Sequence, residues 1–236
     1  MEGRKAWLVV ALAAISLVVS AYVLGESLRS FRTADRYVTV KGLAEREVPA
    51  DLAVWSLAVQ ATGNDLAAVQ DELTADEASV RRFLGSLRFE DAALSVTPVQ
   101  ITDFEARGYG GQSPPPARYL AEKTLTLRTR NVEQVWAAVE RSGELVQAGV
   151  VLASSYQSGT DFLFTRLNDI KPEMIAEATA NARKAAGQFA RDAGSRVGAI
   201  RHARQGLFTI EDRDRYTPEV KRVRVVTTVE YFLEES

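Results

Sequence analysis

The chain has no cysteine, which excludes disulfides, thiolate nucleophiles and Cys-ligated zinc or iron-sulfur sites together. It has one histidine, His202, set between Arg201 and Arg204 in AIRHARQ. A lone imidazole lacks a partner for a metal site, so His202 reads as a surface or interface strand residue. An excess of one charge sign is missing too. Lys and Arg number 29 against 31 Asp and Glu, a net charge of -2 that leaves no basic excess for nucleic acid. Removing residues 1–26 keeps that balance, because Glu2 and Glu26 leave with Arg4 and Lys5. No Gly-x-Ser-x-Gly elbow is present, and Ser154 and Ser155 lie in an expected strand without an identified base. Gly108-Tyr109-Gly110-Gly111 lacks the Gly-Lys-Ser/Thr ending of a phosphate loop, and no helix follows it. Glu211, Asp212 and Asp214 are interleaved with Arg213 and Arg215 and lack calcium-loop spacing, so they read as a solvated turn. The residues therefore name no catalytic group, no cofactor and no metal ligand.

What is present begins with a long apolar run. Residues 6–25, AWLVVALAAISLVVSAYVLG, are uncharged and, at about 1.5 Å per helical residue, long enough to cross a hydrocarbon core of about 30 Å. Arg4 and Lys5 precede the run, so residues 1–5 are expected to stay cytoplasmic and the rest to be exported. The run has no polar face, which argues against a buried helix of the soluble fold. Its length and the mediocre cleavage site at Ala21 favour an uncleaved signal anchor over a cleaved signal peptide, with Trp7 and Tyr22 at the two interfaces. Residues 26–36 then form a charged spacer.

The remainder, 46% hydrophobic and 25% charged over the whole chain, has the composition of a folded body. Tyr37–Leu43 and Leu52–Ala61 alternate as strands and read as a hairpin, with Gly42 at a bulge or bend and Pro49 in the turn. Leu66, Val69, Leu73, Val80, Phe83, Leu84 and Leu87 mark a long amphipathic helix whose stripe is broken only by Asp76 and Glu77. That break means either overhang beyond the sheet or contact with a neighbour. Leu94–Phe104 and Arg118–Thr129 read as strands around a Gly- and Pro-rich loop, residues 105–117. In that loop Tyr109 and Pro114–Pro116 offer either a recognition surface or a disordered tip. Asn131 and Gln134 form a capping box for a helix carrying Val132, Val135, Trp136 and Val139, and Gly149–Tyr156 returns as a strand.

The centre of the chain is Phe162–Gly206. A short strand hands over to a helix at Asn168, Asp169 and Pro172. Ile175, Ala178, Ala182, Ala185 or Ala186, Phe189 and Ala193 then recur at spacings of three and four. A stripe built almost wholly of alanine suits a helix lying very close to a sheet. Gly194 supplies a left-handed stop, and Val197–Leu207 and Val223–Leu233 follow as strands on either side of a charged loop. The order β-β-α, β-β-α-β, β-α-β-β argues for an α+β fold of two small sheet-plus-helix units behind the membrane helix. The expected division is a core of residues 35–92 plus 158–236 with 93–157 inserted as a β-β-α-β unit.

VTVKGLAEREVPADLAVW and AEATANARKAAGQFARDAGSRVGAIRHARQG together resemble the SIMPL-domain family of bacterial envelope proteins. The first is similar to the family's opening strand and Gly, Pro/Asp turn; the second to its Ala- and Arg-containing helix, Gly-x-x-x-Gly and strand. The resemblance covers residues 37–233. It implies a two-part α+β fold, export to the periplasm or cell surface, ring-like or channel-like oligomers in some members, and a link to oxidative stress. It implies no catalytic residues. The expectation is a non-enzymatic protein anchored in a bacterial inner membrane, N-terminus inside and folded part in the periplasm, acting as a homo-oligomer or through an envelope partner. The alternative is an extracytoplasmic binding module for a lipid, peptide or small ligand.

Overall fold

The computed structural model describes residues 16, 17, 19–22, 36–107, 116–153 and 159–235. Within the expected membrane segment, Ser16, Leu17 and residues 19–22 are helical and exposed; the rest of residues 6–25 lies outside the described residues. Among the described residues no helix is long and apolar enough to cross a membrane.

The folded part is α+β with two antiparallel sheets. One contains β1 (Tyr37–Pro49), β9 (Val220–Glu235) and β7 (Ser195–Gln205) in that order, with β8 (Thr209–Asp212) also on β9. The other runs β3 (Leu94–Val96), β5 (Tyr119–Thr129), β2 (Leu52–Gly63), β6 (Gly159–Leu163), with β4 (Gln100–Asp103) also on β5. The helices are α1 (Leu66–Ser86), the single turn α2 (Phe104–Arg107), α3 (Val132–Glu140), α4 (Gly143–Gln147) and α5 (Leu167–Asp192). β1 and β2 do not form the expected hairpin. β1 runs on through Pro49 beside β9, while β2 pairs β5 and β6. Proline is tolerated there because it ends an edge strand.

Two compact units emerge, and they divide elsewhere than at the expected 93–157 insert. Unit one takes residues up to Glu45, Ile170–Thr209 and Arg224–Ser236; unit two takes Arg46–Asp169 and Ile210–Val223. The cause is pairing at a distance: β2 and β5 match over eleven positions, Ala53 with Thr129 through Gly63 with Tyr119. Residues 119–129 are thus bound to residues 53–63, not to a separate insert.

In unit two, α1 and α3 cover the second sheet. Val69, Leu73, Val80, Phe83 and Leu84 of α1 and Val135 of α3 meet Trp55, Leu57, Leu125 and Leu127, with Trp55 edge-on to Phe83 at 6.4 Å. Trp136 lies across buried Phe162 at 5.8 Å, which seals the short edge strand β6. Asp65 caps α1 by accepting from the Ala68 amide at 2.9 Å. Of the capping box expected at α3 one arm forms, Asn131 Oδ1 accepting from the Gln134 amide at 3.4 Å, while the Asn131 amide donates to Thr129 Oγ1 at 3.2 Å and not to the Gln134 side chain.

In unit one, α5 lies on its sheet through Met174, Ala178, Ala182, Ala186 and Ala190, all at most 1% exposed. The stripe holds strictly to every fourth residue. Phe189 and Ala193, expected on it, are exposed, and the core beneath is Val40, Val229 and Tyr231. Gly42 explains the closeness. It is buried in β1 directly under α5, where a Cβ would strike the backbone at Ala178 and Ala182, so it marks a contact and not the expected bend. Beside it, Asn181 Nδ2 donates to the Leu43 carbonyl at 2.9 Å, which occupies an acceptor of the edge strand with a helix side chain. Gly194 has φ +64°, the left-handed stop expected after α5.

Candidate functional site

The residues singled out by type are mostly consumed by structure. His202 is exposed on β7 opposite Glu230; the adjacent Arg201 reaches Glu230 at 3.7 Å and lies over the Tyr37 ring at 4.0 Å. In the acidic loop, Asp214 accepts from the Thr217 hydroxyl at 2.7 Å and from the amides of Tyr216 and Thr217 at 2.8 and 3.0 Å. Those bonds, the Thr217 hydroxyl foremost, hold its carboxyl down to about 2. Asp212 pairs with Lys221, and Arg213 joins Asp214 at 3.2 Å and Glu47 at 3.5 Å. Among the described residues no group of three or more His, Asp or Glu side chains forms a metal cluster.

Gly108–Gly111, Tyr109, Pro114, Pro115, Ser154 and Ser155 lie outside the described residues. The two ends of the Pro-rich loop are visible. Arg118 binds Asp103 at 3.0 Å and Glu105 at 2.7 Å, and its amide donates to Asn64 Oδ1 at 2.9 Å. The Arg118 guanidinium holds the Asp103 carboxyl below its usual range.

The break in the α1 stripe has two separate meanings. Glu77 reaches the sheet: its Oε2 accepts from Lys123 Nζ of β5 at 2.7 Å, and its Oε1 lies 3.0 Å from Arg81. Lys123 foremost, then Arg81, lowers its pKa. Asp76 is 8% exposed and its Oδ2 has no hydrogen-bond partner among the described residues; burial, then the like charge of Glu72, raises its pKa. Only the Glu77–Arg81 spacing was a readable signal for this network. Lys123 was not foreseeable, because it is brought in by strand pairing.

The C-terminal end of α1 opens a crevice of about 320 Å³. Its floor is Leu84 and Leu127, with Phe89 and Leu94 beside them, and its rim carries Arg81, Arg82, Glu90 and Asp91. The wall is set by local geometry. Phe89 N donates to Leu84 O at 3.1 Å and Arg88 N to Gly85 O at 2.9 Å, the paired bonds of a Schellman stop. Arg88 takes the left-handed position, φ +64°, that glycine usually fills. Arg88→Gly is therefore expected to raise stability by about 1 kcal/mol, read as a higher urea midpoint; an unchanged or lower midpoint would contradict it. Gln134 of α3 donates to the Leu87 carbonyl and fixes the same turn from outside. Arg81 crosses from Glu77 to Asp91, 2.7 Å away. Among the described residues Arg82 bonds only within its helix, to Ala78 O at 3.4 Å and Ser79 Oγ at 3.0 Å. A second, more open groove of about 380 Å³ runs along α5 by Ala180, Arg183, Lys184, Gly187 and Arg191.

No curated protein matches the sequence. Two solved structures show distant likeness. An amidase of the hydantoinase/carbamoylase family from Burkholderia phymatum is 15% identical with a TM-score of 0.24, covering 57% of this chain, which spans about a third (33%) of the amidase. A hydrolase from Listeria innocua is 15% identical with a TM-score of 0.22, covering 89% of this chain and 98% of its own. Likeness at that level carries no argument about activity. The family profile "SIMPL: Protein of unknown function (DUF541)" matches residues 38–230, from the opening strand to the last, and the chain belongs to that family.

Proposed function

We propose that this SIMPL protein is a non-enzymatic envelope protein, anchored through residues 6–25 in a bacterial inner membrane, that acts by self-assembly or through a protein partner on the periplasmic side. The supporting observation is Leu207, 91% exposed between β7 and β8 while its neighbour Phe208 is held near Lys171. Phe189 and Ile200 of the same unit are 60% and 50% exposed. Large apolar side chains set so far into solvent gain most when another chain covers them. Tethering by one helix concentrates copies in two dimensions, so even weak contacts assemble. A role in tolerance of envelope or oxidative stress is part of the proposal and follows from the family resemblance alone.

The test is the mass of the full-length protein in mild detergent, by light scattering after size separation, beside residues 27–236. A defined oligomer in both is expected, with Leu207→Asp lowering its mass. Monomers in both would sink self-assembly. The crevice at the end of α1 favours a second reading, an extracytoplasmic module that binds a small ligand.

A further inference from the structure

We infer that the α1 crevice binds a small zwitterion with an apolar body, such as a hydrophobic amino acid or a short peptide end; this deepens the ligand-binding reading and rests on it. The volume of about 320 Å³ is the size of a small-molecule site. Its floor is apolar and set in place: Leu127 is fully buried in β5 and pairs across the sheet with Leu94, while Leu84 is held in the helix stop. The apolar surface still open to a ligand is that of half-buried Phe89 and Leu94 beside the floor, which a hydrocarbon body can cover.

The rim decides the charge of the ligand. Arg81 and Asp91 satisfy each other, so they present little net charge to a visitor. Arg82 has no carboxylate partner and Glu90 no side-chain partner among the described residues, yet both line the crevice. One cation and one anion left over around an apolar floor match a molecule that carries a carboxylate, an ammonium and a hydrocarbon body. A simple fatty acid would leave Glu90 facing its carboxylate. A simple amine would leave Arg82 facing its ammonium.

The experiment follows leucine methyl signals of the full-length protein while L-phenylalanine, hexanoate and hexylamine are added separately. Saturable shifts at Leu84, Leu94 and Leu127 at millimolar L-phenylalanine are expected, with Arg82→Gln and Glu90→Gln each weakening binding about tenfold through one lost charged contact. Both side chains are exposed, so neither variant threatens the fold. Hexanoate or hexylamine binding as tightly as L-phenylalanine would overturn the zwitterion while leaving a ligand site in place. The same shifts in the Arg82→Gln, Glu90→Gln double variant would overturn it as well. No methyl response to any probe would overturn both this inference and the ligand-binding reading.

Discussion

Gly42→Ala is expected to cost about 3 kcal/mol or more, a large share of an ordinary folding stability of about 5 to 15 kcal/mol, although it adds a single methyl group. The added Cβ would overlap the Ala178 carbonyl oxygen and stand 2.5 Å from the Ala182 nitrogen. Both obstacles are backbone, so no rotamer change relieves them. Either α5 lifts from β1, or β1 bends away from β9. Lifting would open the contact along Ala178, Ala182 and Ala186, residues now wholly buried. Ala182→Leu and Ala186→Leu attack the same seam from the helix side, with longer side chains that can partly find space, and about 1 to 3 kcal/mol is expected of each. Chemical denaturation of the three variants measures this. A Gly42→Ala midpoint equal to that of the parent would mean that the helix does not touch the strand there.

Asp76→Asn is expected to stabilise the protein at neutral pH by about 1 to 2 kcal/mol, the reverse of what most buried substitutions do. Asp76 sits in the apolar stripe of α1 with one carboxylate oxygen that has no partner among the described residues, and burial raises its pKa above the usual 3.8. The sign follows from linkage. A carboxyl that holds its proton more tightly folded than unfolded contributes stability below the unfolded pKa, and that contribution is lost as pH rises through the folded one. At neutral pH the native protein thus carries a buried charge that an asparagine side chain lacks. The gap between the Asp76→Asn variant and the parent should close as pH falls toward 3.8, which urea midpoints across that range would show. A gap that is constant with pH would mean that Asp76 is already solvated in the native state. Glu77 behaves oppositely. Lys123 and Arg81 lower its pKa, so its contribution is present above the unfolded value of about 4.5 and fades as pH falls through the lower folded one.

Legibility differed from element to element for physical reasons. The amphipathic stripe of α1 apart from Leu66, which is exposed, the Gly194 stop and the Asn131 cap of α3 rest on signals between near neighbours in the chain and were readable. The α5 helix was readable in kind but not in phase. Its alanines offer several faces of equal hydrophobicity, and only the sheet beneath chose Met174, Ala178, Ala182, Ala186 and Ala190 over Phe189 and Ala193. The β1–β2 hairpin is the local solution, yet each strand pairs with a distant partner instead, β1 with β9 and β2 with β6 and, over eleven positions, with β5. Asp51 instead binds across the fold, accepting from the Thr165 amide at 2.8 Å and from its hydroxyl at 3.0 Å.

The candidate site was less legible than the fold. His202 and the acidic loop attracted attention by residue type, yet their neighbours give them structural roles. The crevice was invisible in the sequence. Leu94 and Leu127 lie far apart in the chain and become one floor only through the β3–β5 register, and Arg82 stands out only once Arg81 is seen bonded to Asp91. By itself the sequence determined the α+β class, the family and the type of the longer helices and strands, because periodicity and caps act within a few residues; it missed the short helix α4, and of the strand expected at Gly149–Tyr156 the described residues make only the isolated bridge from Leu152 to Val59. Tertiary structure alone decided which strands share a sheet, why Gly42 must be glycine and which charges remain unpaired, because each depends on backbones brought together from distant parts of the chain.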